Sequence, residues 1–136
     1  MRYSAEHKLA TRQRLIEAGG ALAKKEGFGN TGMDALAAAA GLTTGAFYAQ
    51  FRSKPELLHA IVGHELGRTL TLFAGRTDER LLRALAAYLS PFHAEHPELG
   101  CSIPTLAGEI ARADLATRET FEAGVVELKA GFRKTL

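Results

Sequence analysis

The chain has 136 residues, of which 46% are hydrophobic and 24% are charged, and this composition excludes a wholly disordered protein. Ala and Leu together number 43 and Val and Ile only 7, which favours helices and excludes a large sheet, so we expect an all-α fold. The net charge is only +2, but residues 1–54 hold eight Lys and Arg against four Asp and Glu. This basic segment indicates a polyanionic partner, either a nucleic acid or an anionic membrane.

Three helices are predicted in this basic segment. The first covers residues 4–25, and Gly19 and Gly20 in its interior mark either a close approach by another helix or a weak point. Thr31 and Asp34 have the spacing of a capping box and predict a short second helix. Gly41 is suited to the left-handed residue that follows it, and the third helix is predicted at residues 44–51.

Five further helical segments are predicted beyond residue 53. Ser53 and the proline two residues later begin the fourth, which reaches toward Gly75. The next segments cover residues 78–89, a short piece between 90 and 97, and residues 102–112. Asp114 caps the last predicted helix, whose apolar stripe runs to Leu136. Because this stripe has no terminator after it, we expect a longer parent protein.

The single cysteine and the hydropathy of the chain argue against several classes of protein. One cysteine excludes an intramolecular disulfide and a multi-cysteine zinc site. The sequence has neither an apolar signal core at its start nor an apolar run of about 20 residues. We therefore expect a soluble cytoplasmic protein without a membrane span and without a cofactor or metal.

Residues 31–51 carry the most specific pattern. Two short helices joined by a glycine-containing turn are typical of a helix-turn-helix, whose second helix enters the major groove of DNA. Phe47 and Phe51 supply an apolar rear for that helix. The candidate DNA contacts are the polar side chains and the glycine along this helix, together with the lysine that follows it. They are Thr43, Thr44, Gly45, Tyr48, Gln50 and Lys54. The alternative is a corner of two helices that binds nothing.

At these positions the chain resembles the tetracycline-repressor (TetR) family of bacterial transcription regulators. The matching segments are Thr11-Arg12, Gly27-Phe28, Thr31-Gly32-Met33-Asp34-Ala35-Leu36-Ala37, Ala40-Gly41-Leu42-Thr43, Gly45-Ala46-Phe47-Tyr48-Ala49-Gln50-Phe51 and Ser53-Lys54-Pro55-Glu56-Leu57-Leu58. The resemblance implies an N-terminal three-helix bundle with a helix-turn-helix in residues 1–53. It also implies a helical ligand-binding and dimerisation domain in residues 54–136.

The resemblance also assigns roles to individual residues. Thr44, Gly45, Tyr48 and Gln50 would lie on the recognition helix, and Tyr48 and Lys54 would contact phosphates. Thr31 would begin the helix that crosses the DNA backbone and counts among the DNA-binding candidates. Position 44 departs from the family pattern, because relatives often carry Lys or Arg there and Thr44 lacks that long donor.

Beyond residue 78 the resemblance is less specific. It implies an effector pocket among the fourth to seventh helices, a homodimer for the full-length parent, and the absence here of the two last helices that build the dimer. The candidate pocket residues are Leu66, Leu70, Phe73, Tyr88, Phe92, Cys101, Leu106 and Phe121. Packing in an ordinary core is the alternative for each of them.

The sequence gives weaker support for a thiol sensor, a zinc site or an enzyme active site. Cys101 is either a thiol sensor or a small buried hydrophobic residue. His93, His96 and Cys101 suggest zinc, but Pro97 and Gly100 interrupt the spacing. An enzyme would need Cys101 and His96 as nucleophile and base, without a motif around either, so we expect no enzyme. The prediction is a DNA-binding transcription regulator, a repressor released by a small ligand; the alternative is a helical protein-interaction module.

Overall fold

The computed structural model describes residues 4–73 and 77–135, which form helices joined by short turns. The helices are α1 (Ala5–Glu26), α2 (Met33–Ala39), α3 (Thr44–Gln50), α4 (Lys54–Phe73), α5 (Asp78–Tyr88), α6 (Pro91–Glu95), α7 (Ser102–Ile110) and α8 (Leu115–Thr135), with a 3₁₀ turn at Pro97–Leu99. No strand occurs within these two ranges. The prediction of an all-α fold, with a helix-turn-helix region followed by further helices, is confirmed.

The first three helices pack around one apolar centre. Leu15 of α1, Leu36 of α2 and Phe47 of α3 are each fully buried, and Phe51 closes the same cluster from the end of α3. Because the apolar residues of α2 and α3 are four or fewer positions apart, each short helix presents one face to α1. The opposite faces of α2 and α3 are left for solvent or a partner.

Helix α4 continues this core and connects it to the rest of the chain. Its inward face is apolar, and Leu57, Ile61, Val62 and Leu66 are all buried. The helix packs on α1 on one side and along α8 on the other. With 20 residues, α4 spans about 30 Å.

The α1–α4 crossing explains the two glycines inside α1. A Cβ atom on Gly19 would lie 3.4 Å from Cδ1 of Ile61, and one on Gly20 would lie 3.1 Å from Oε1 of Glu65. The glycines therefore mark the close approach of another helix, one of the two alternatives that the sequence left open.

One capping prediction is wrong. Gly32 precedes α2 without a side-chain cap, and the Thr31 hydroxyl instead donates to the Gly27 carbonyl at 2.8 Å. Thr31 is buried, so its side chain belongs to the turn after α1. The predicted caps at the starts of α4 and α8 are present, since Ser53 Oγ accepts from the Glu56 amide and Asp114 Oδ1 from the Thr117 amide.

The remaining boundaries lie close to the predicted ones. Helix α7 ends at Ile110 and not at residue 112, because its last amides bond back to form a turn. Gly75, the predicted limit of the fourth helix, and Leu136, the end of the last apolar stripe, lie outside the described residues. Within the described ranges, no helix combines the length and hydropathy that crossing a membrane requires.

Candidate functional site

A tight turn fixes the angle between α2 and α3. Gly41 has a φ of +71°, in the left-handed region that only glycine adopts without strain. The Gly41 and Leu42 amides bond back to carbonyls of α2, and the Arg14 guanidinium donates to the Ala40 carbonyl at 2.6 Å. The turn is thus held both from within and from α1.

The rear of α3 is rigid because aromatic rings anchor it. Phe47 is 0% exposed and Phe51 is 1% exposed. The Arg12 guanidinium lies over the Phe51 ring, 4.2 Å from its centroid, and its Nη1 donates to the Gln50 carbonyl at 3.2 Å. A cation over a ring and a capped helix end both stabilise this position of α3 against α1.

The front of α3 carries the side chains that the sequence predicted for DNA. Thr43, Gly45 and Tyr48 are exposed, while Thr44 and Gln50 are half-buried. Thr43 caps the helix, since its Oγ1 accepts from the Ala46 amide at 3.1 Å. All five belong to α3 or to its N-terminal cap, and Thr43, Gly45 and Tyr48 are the ones most accessible to a partner. Such a helix has the size and the polar edge that fit a major groove.

A bond between the two helices was missed by the sequence reasoning. The Thr44 hydroxyl donates to Oδ1 of Asp34 at 2.6 Å and so ties the start of α3 to the first turn of α2. The signal available was a carboxylate ten residues before a threonine, across a predicted turn. Asp34 also stands three residues after Thr31, and this spacing favours a capping box, so the bond from Thr44 to Asp34 was not predicted.

Two other predicted DNA residues lie apart from the front of α3. Lys54 begins α4 and is half-buried, with its ammonium 4.8 Å from the centroid of the Phe28 ring. It sits at a helix start, where unpaired amides and a cation together suit a phosphate. Thr31 is 3% exposed, so its side chain is turned away from the surface that α3 presents.

A second feature is a cavity of about 780 Å³ between the second half of α4, α5, α6 and the segment that precedes α7. Four of the predicted pocket residues line it, namely Phe73, Tyr88, Phe92 and Cys101. Leu66 and Leu106 lie in the core and Phe121 packs against it, which is the alternative placement considered for them. Leu70 is half-buried and is not among the lining residues.

Rings and hydrogen bonds order the cavity wall. Tyr88 lies 4.6 Å from the His93 ring and 6.1 Å from the Phe73 ring, measured between centroids. His93 Nε2 accepts from the Cys101 amide at 3.1 Å and so ties α6 to the residue that precedes α7. Burial raises the pKa of the Tyr88 phenol above its ordinary value of 10.0, and the charge and hydrogen bond of Cys101 add to the rise. The phenol therefore stays neutral at physiological pH.

A buried ion pair connects this cavity to α1. Lys24 Nζ lies 2.9 Å from Oε2 of Glu65 and donates to the Gly100 carbonyl at 3.0 Å. The Lys24 and Glu65 side chains are 1% and 3% exposed. Arg68 binds the same carboxylate at 3.0 Å from the cavity side. One side chain of α1 thus holds both α4 and the residue before Cys101.

The residues suggested for zinc do not form a metal site. Across residues 4–73 and 77–135, no group of three or more His, Cys, Asp or Glu side chains is arranged to hold a metal ion. His93 bonds to the Cys101 amide, and His96 stacks on the Phe92 ring at 4.1 Å between centroids.

Comparison with known proteins adds a family and a fold. Residues 15–61 match the family model for bacterial regulatory proteins of the tetR family. The fold is similar to that in the crystal structure of the reduced form of E. coli NemR, with a TM-score of 0.70 and 24% sequence identity over 87% of this chain. The chain spans 65% of the length of that structure, just under two thirds. No protein with a curated description matches the sequence.

The matched segment holds the second half of α1, the whole of α2 and α3, the turn at Gly41 and the start of α4. It is therefore the segment that builds and supports the helix-turn-helix. The predicted resemblance to the tetR family of bacterial regulatory proteins is confirmed over residues 15–61.

Proposed function

We propose that this chain is a transcription regulator that binds operator DNA through α3, and that it acts as a repressor released by a small ligand. The observation that carries the DNA-binding part is the geometry of α3. Its rear is fixed by two buried phenylalanines, while Thr43, Gly45 and Tyr48 are exposed inside the segment that matches the family. The excess of basic over acidic residues up to position 54 favours DNA as the partner.

The proposed roles of the side chains follow from their bonds. The Thr44 hydroxyl gives its proton to Asp34, so its oxygen is left as an acceptor for an amino group of adenine or cytosine. The Gln50 amide offers both a donor and an acceptor to a base edge. Tyr48, which is 54% exposed, and Lys54 are assigned to phosphates. We divide the chain at residue 53, with the DNA-binding part before it and the ligand-binding part after it.

Ligand control is supported by the connection between the cavity and α1. A ligand that displaces Gly100 or Arg68 acts on the Lys24–Glu65 pair, and that pair holds α1 against α4. Because α1 also holds α3 through Arg12 and the preceding turn through Arg14, a change at the cavity can alter the position of α3. In a homodimer, the spacing of two recognition helices sets the affinity for two half-sites.

The phosphate assignment is tested with Lys54→Ala. Affinity for a duplex is measured by fluorescence anisotropy across a series of salt concentrations. We expect weaker binding to every sequence and a salt slope that is lower by about one unit, because one released counterion is lost.

Lys129→Ala is the matched control, since it removes the same charge from an exposed position of α8. Equal affinity for Lys54→Ala and for the unaltered chain would show that Lys54 does not contact a phosphate. Duplex binding that does not depend on salt would favour the helical interaction module.

A further inference from the structure

The cavity has a charge character that selects among ligands. Among its described lining residues, none is Asp or Glu, while Arg68, His64, His93 and His96 supply nitrogen groups. Glu65, which lies three residues before Arg68 on α4, is buried and already bonded to both Lys24 and Arg68. A cationic ligand would have no counterion in the wall, and an uncompensated charge away from water is costly.

Arg68 is placed to receive an anion. Its Nη1 donates to both Glu65 oxygens, at 3.0 and 3.3 Å, and this fixes the plane of the guanidinium. Its Nε and Nη2 make no hydrogen bond to any group in the part of the chain that the structure describes. The side chain is 49% exposed and lines the cavity, so these donors can be reached. A guanidinium with a fixed plane and available donors can hold a carboxylate through two bonds.

The rest of the lining favours a flat apolar body. Phe73 and Tyr88 meet edge to face at one wall, and Phe92 and Leu99 are exposed by 59% and 58% at the rim. Such exposed large side chains gain most from a ligand that covers them. The volume of about 780 Å³ lies in the range of about 300–1,000 Å³ that is usual for small-molecule sites.

We propose that the ligand of this cavity is an aromatic carboxylic acid, bound as its anion with the carboxylate on Arg68 and the ring between Phe73, Tyr88 and Phe92. The ligand class deepens the proposed function, because it rests on the assignment of this cavity to the effector. It also gives Arg68 a double role, since the same guanidinium bonds to the ligand and to the Glu65 carboxylate that Lys24 shares.

The test compares three probes of one shape and different charge: 1-naphthoate, 1-naphthamide and 1-(aminomethyl)naphthalene. Their binding to the unaltered chain is measured by calorimetry at neutral pH. We expect the acid to bind about 10- to 100-fold more tightly than the amide, and the amine to bind least, because charge-assisted hydrogen bonds form only with the acid.

Arg68→Gln should lower the affinity for the acid to that for the amide. Arg68→Lys should restore the affinity for the acid only in part, because lysine carries the positive charge but lacks the paired donors of a guanidinium. Arg83→Gln is the control, since Arg83 is exposed on α5, lies outside the lining and also pairs with a glutamate. Glu65 keeps Lys24 in both Arg68 variants, and circular dichroism checks that they are folded.

Equal binding of acid and amide, tighter binding of the amine, an unchanged affinity in Arg68→Gln, or no binding of any probe at about 1 mM would each overturn the ligand class. DNA affinity is measured separately, with and without naphthoate. If the acid binds through Arg68 while DNA affinity stays constant, the ligand class is supported and only ligand release is refuted.

Discussion

The Lys24–Glu65 pair gives the sharpest prediction about stability. Both side chains are buried, they lie 41 residues apart in sequence, and their charged atoms are 2.9 Å apart. Replacing Lys24 with Met keeps most of the side-chain volume but removes the charge and the bond to the Gly100 carbonyl. Glu65 is then left in the core with Arg68 as its only ionic partner among the described residues.

The expected loss of unfolding free energy depends on the charges that remain around Glu65. Breaking a buried ion pair by removing one partner costs about 3–5 kcal/mol, because the other charge stays away from water. Arg68 still neutralises part of the Glu65 charge, so we expect the lower end, about 3 kcal/mol of unfolding free energy. For a chain of this length, each kcal/mol corresponds to roughly 4 °C in Tm, so the expected decrease is about 10 °C.

The unfolding free energy is measured by urea unfolding and Tm by thermal unfolding, both monitored by circular dichroism. Lys25→Met is the matched control, because Lys25 is the next residue and is exposed, and its change should be within about 0.5 kcal/mol of zero. The double variant Lys24→Met with Glu65→Leu should recover most of the loss, since no buried charge is left. If Lys24→Met is as stable as Lys25→Met, the pair does not hold α1 to α4 as argued.

Three further outcomes are expected. Thr44→Ala and Gln50→Ala should change the preference among operator sequences more than the affinity for random duplexes, measured by competition binding; equal losses on all sequences would refute base reading. Gly41→Ala should cost about 1–2 kcal/mol in urea unfolding, because its φ of +71° is unfavourable for a residue with a Cβ. Phe47→Ala should cost about 3–5 kcal/mol, since the ring is fully buried, and a loss below 1 kcal/mol would contradict its role as the anchor of α3.

The helix-turn-helix was accessible from sequence because its determinants are local. Gly41 has the positive φ that its place after a short helix predicted, and Phe47 and Phe51 are buried as their spacing of four required. Thr31 shows the limit of such patterns. The spacing to Asp34 fits a capping box, but the Thr31 hydroxyl is nearer to the carbonyl of the preceding turn and bonds there.

The connection between α1 and the cavity could not be predicted in the same way. Helical periodicity places Lys24 on the face of α1 that holds Gly20, but only the crossing of α4 brings the Glu65 carboxylate to its ammonium. The cavity depends on tertiary packing for the same reason. Leu66 and Phe73 lie on one helix with similar apolar spacing, but Leu66 lies in the core while Phe73 lies beside the cavity.

The central claim is that α3 reads a DNA sequence. The most direct measurement is the sequencing of duplexes that the chain selects from a random pool. We expect enrichment of one shared motif, and a palindrome with half-sites about one or more helical turns apart where two copies bind together. Recovery of the pool without any enriched sequence would contradict this claim.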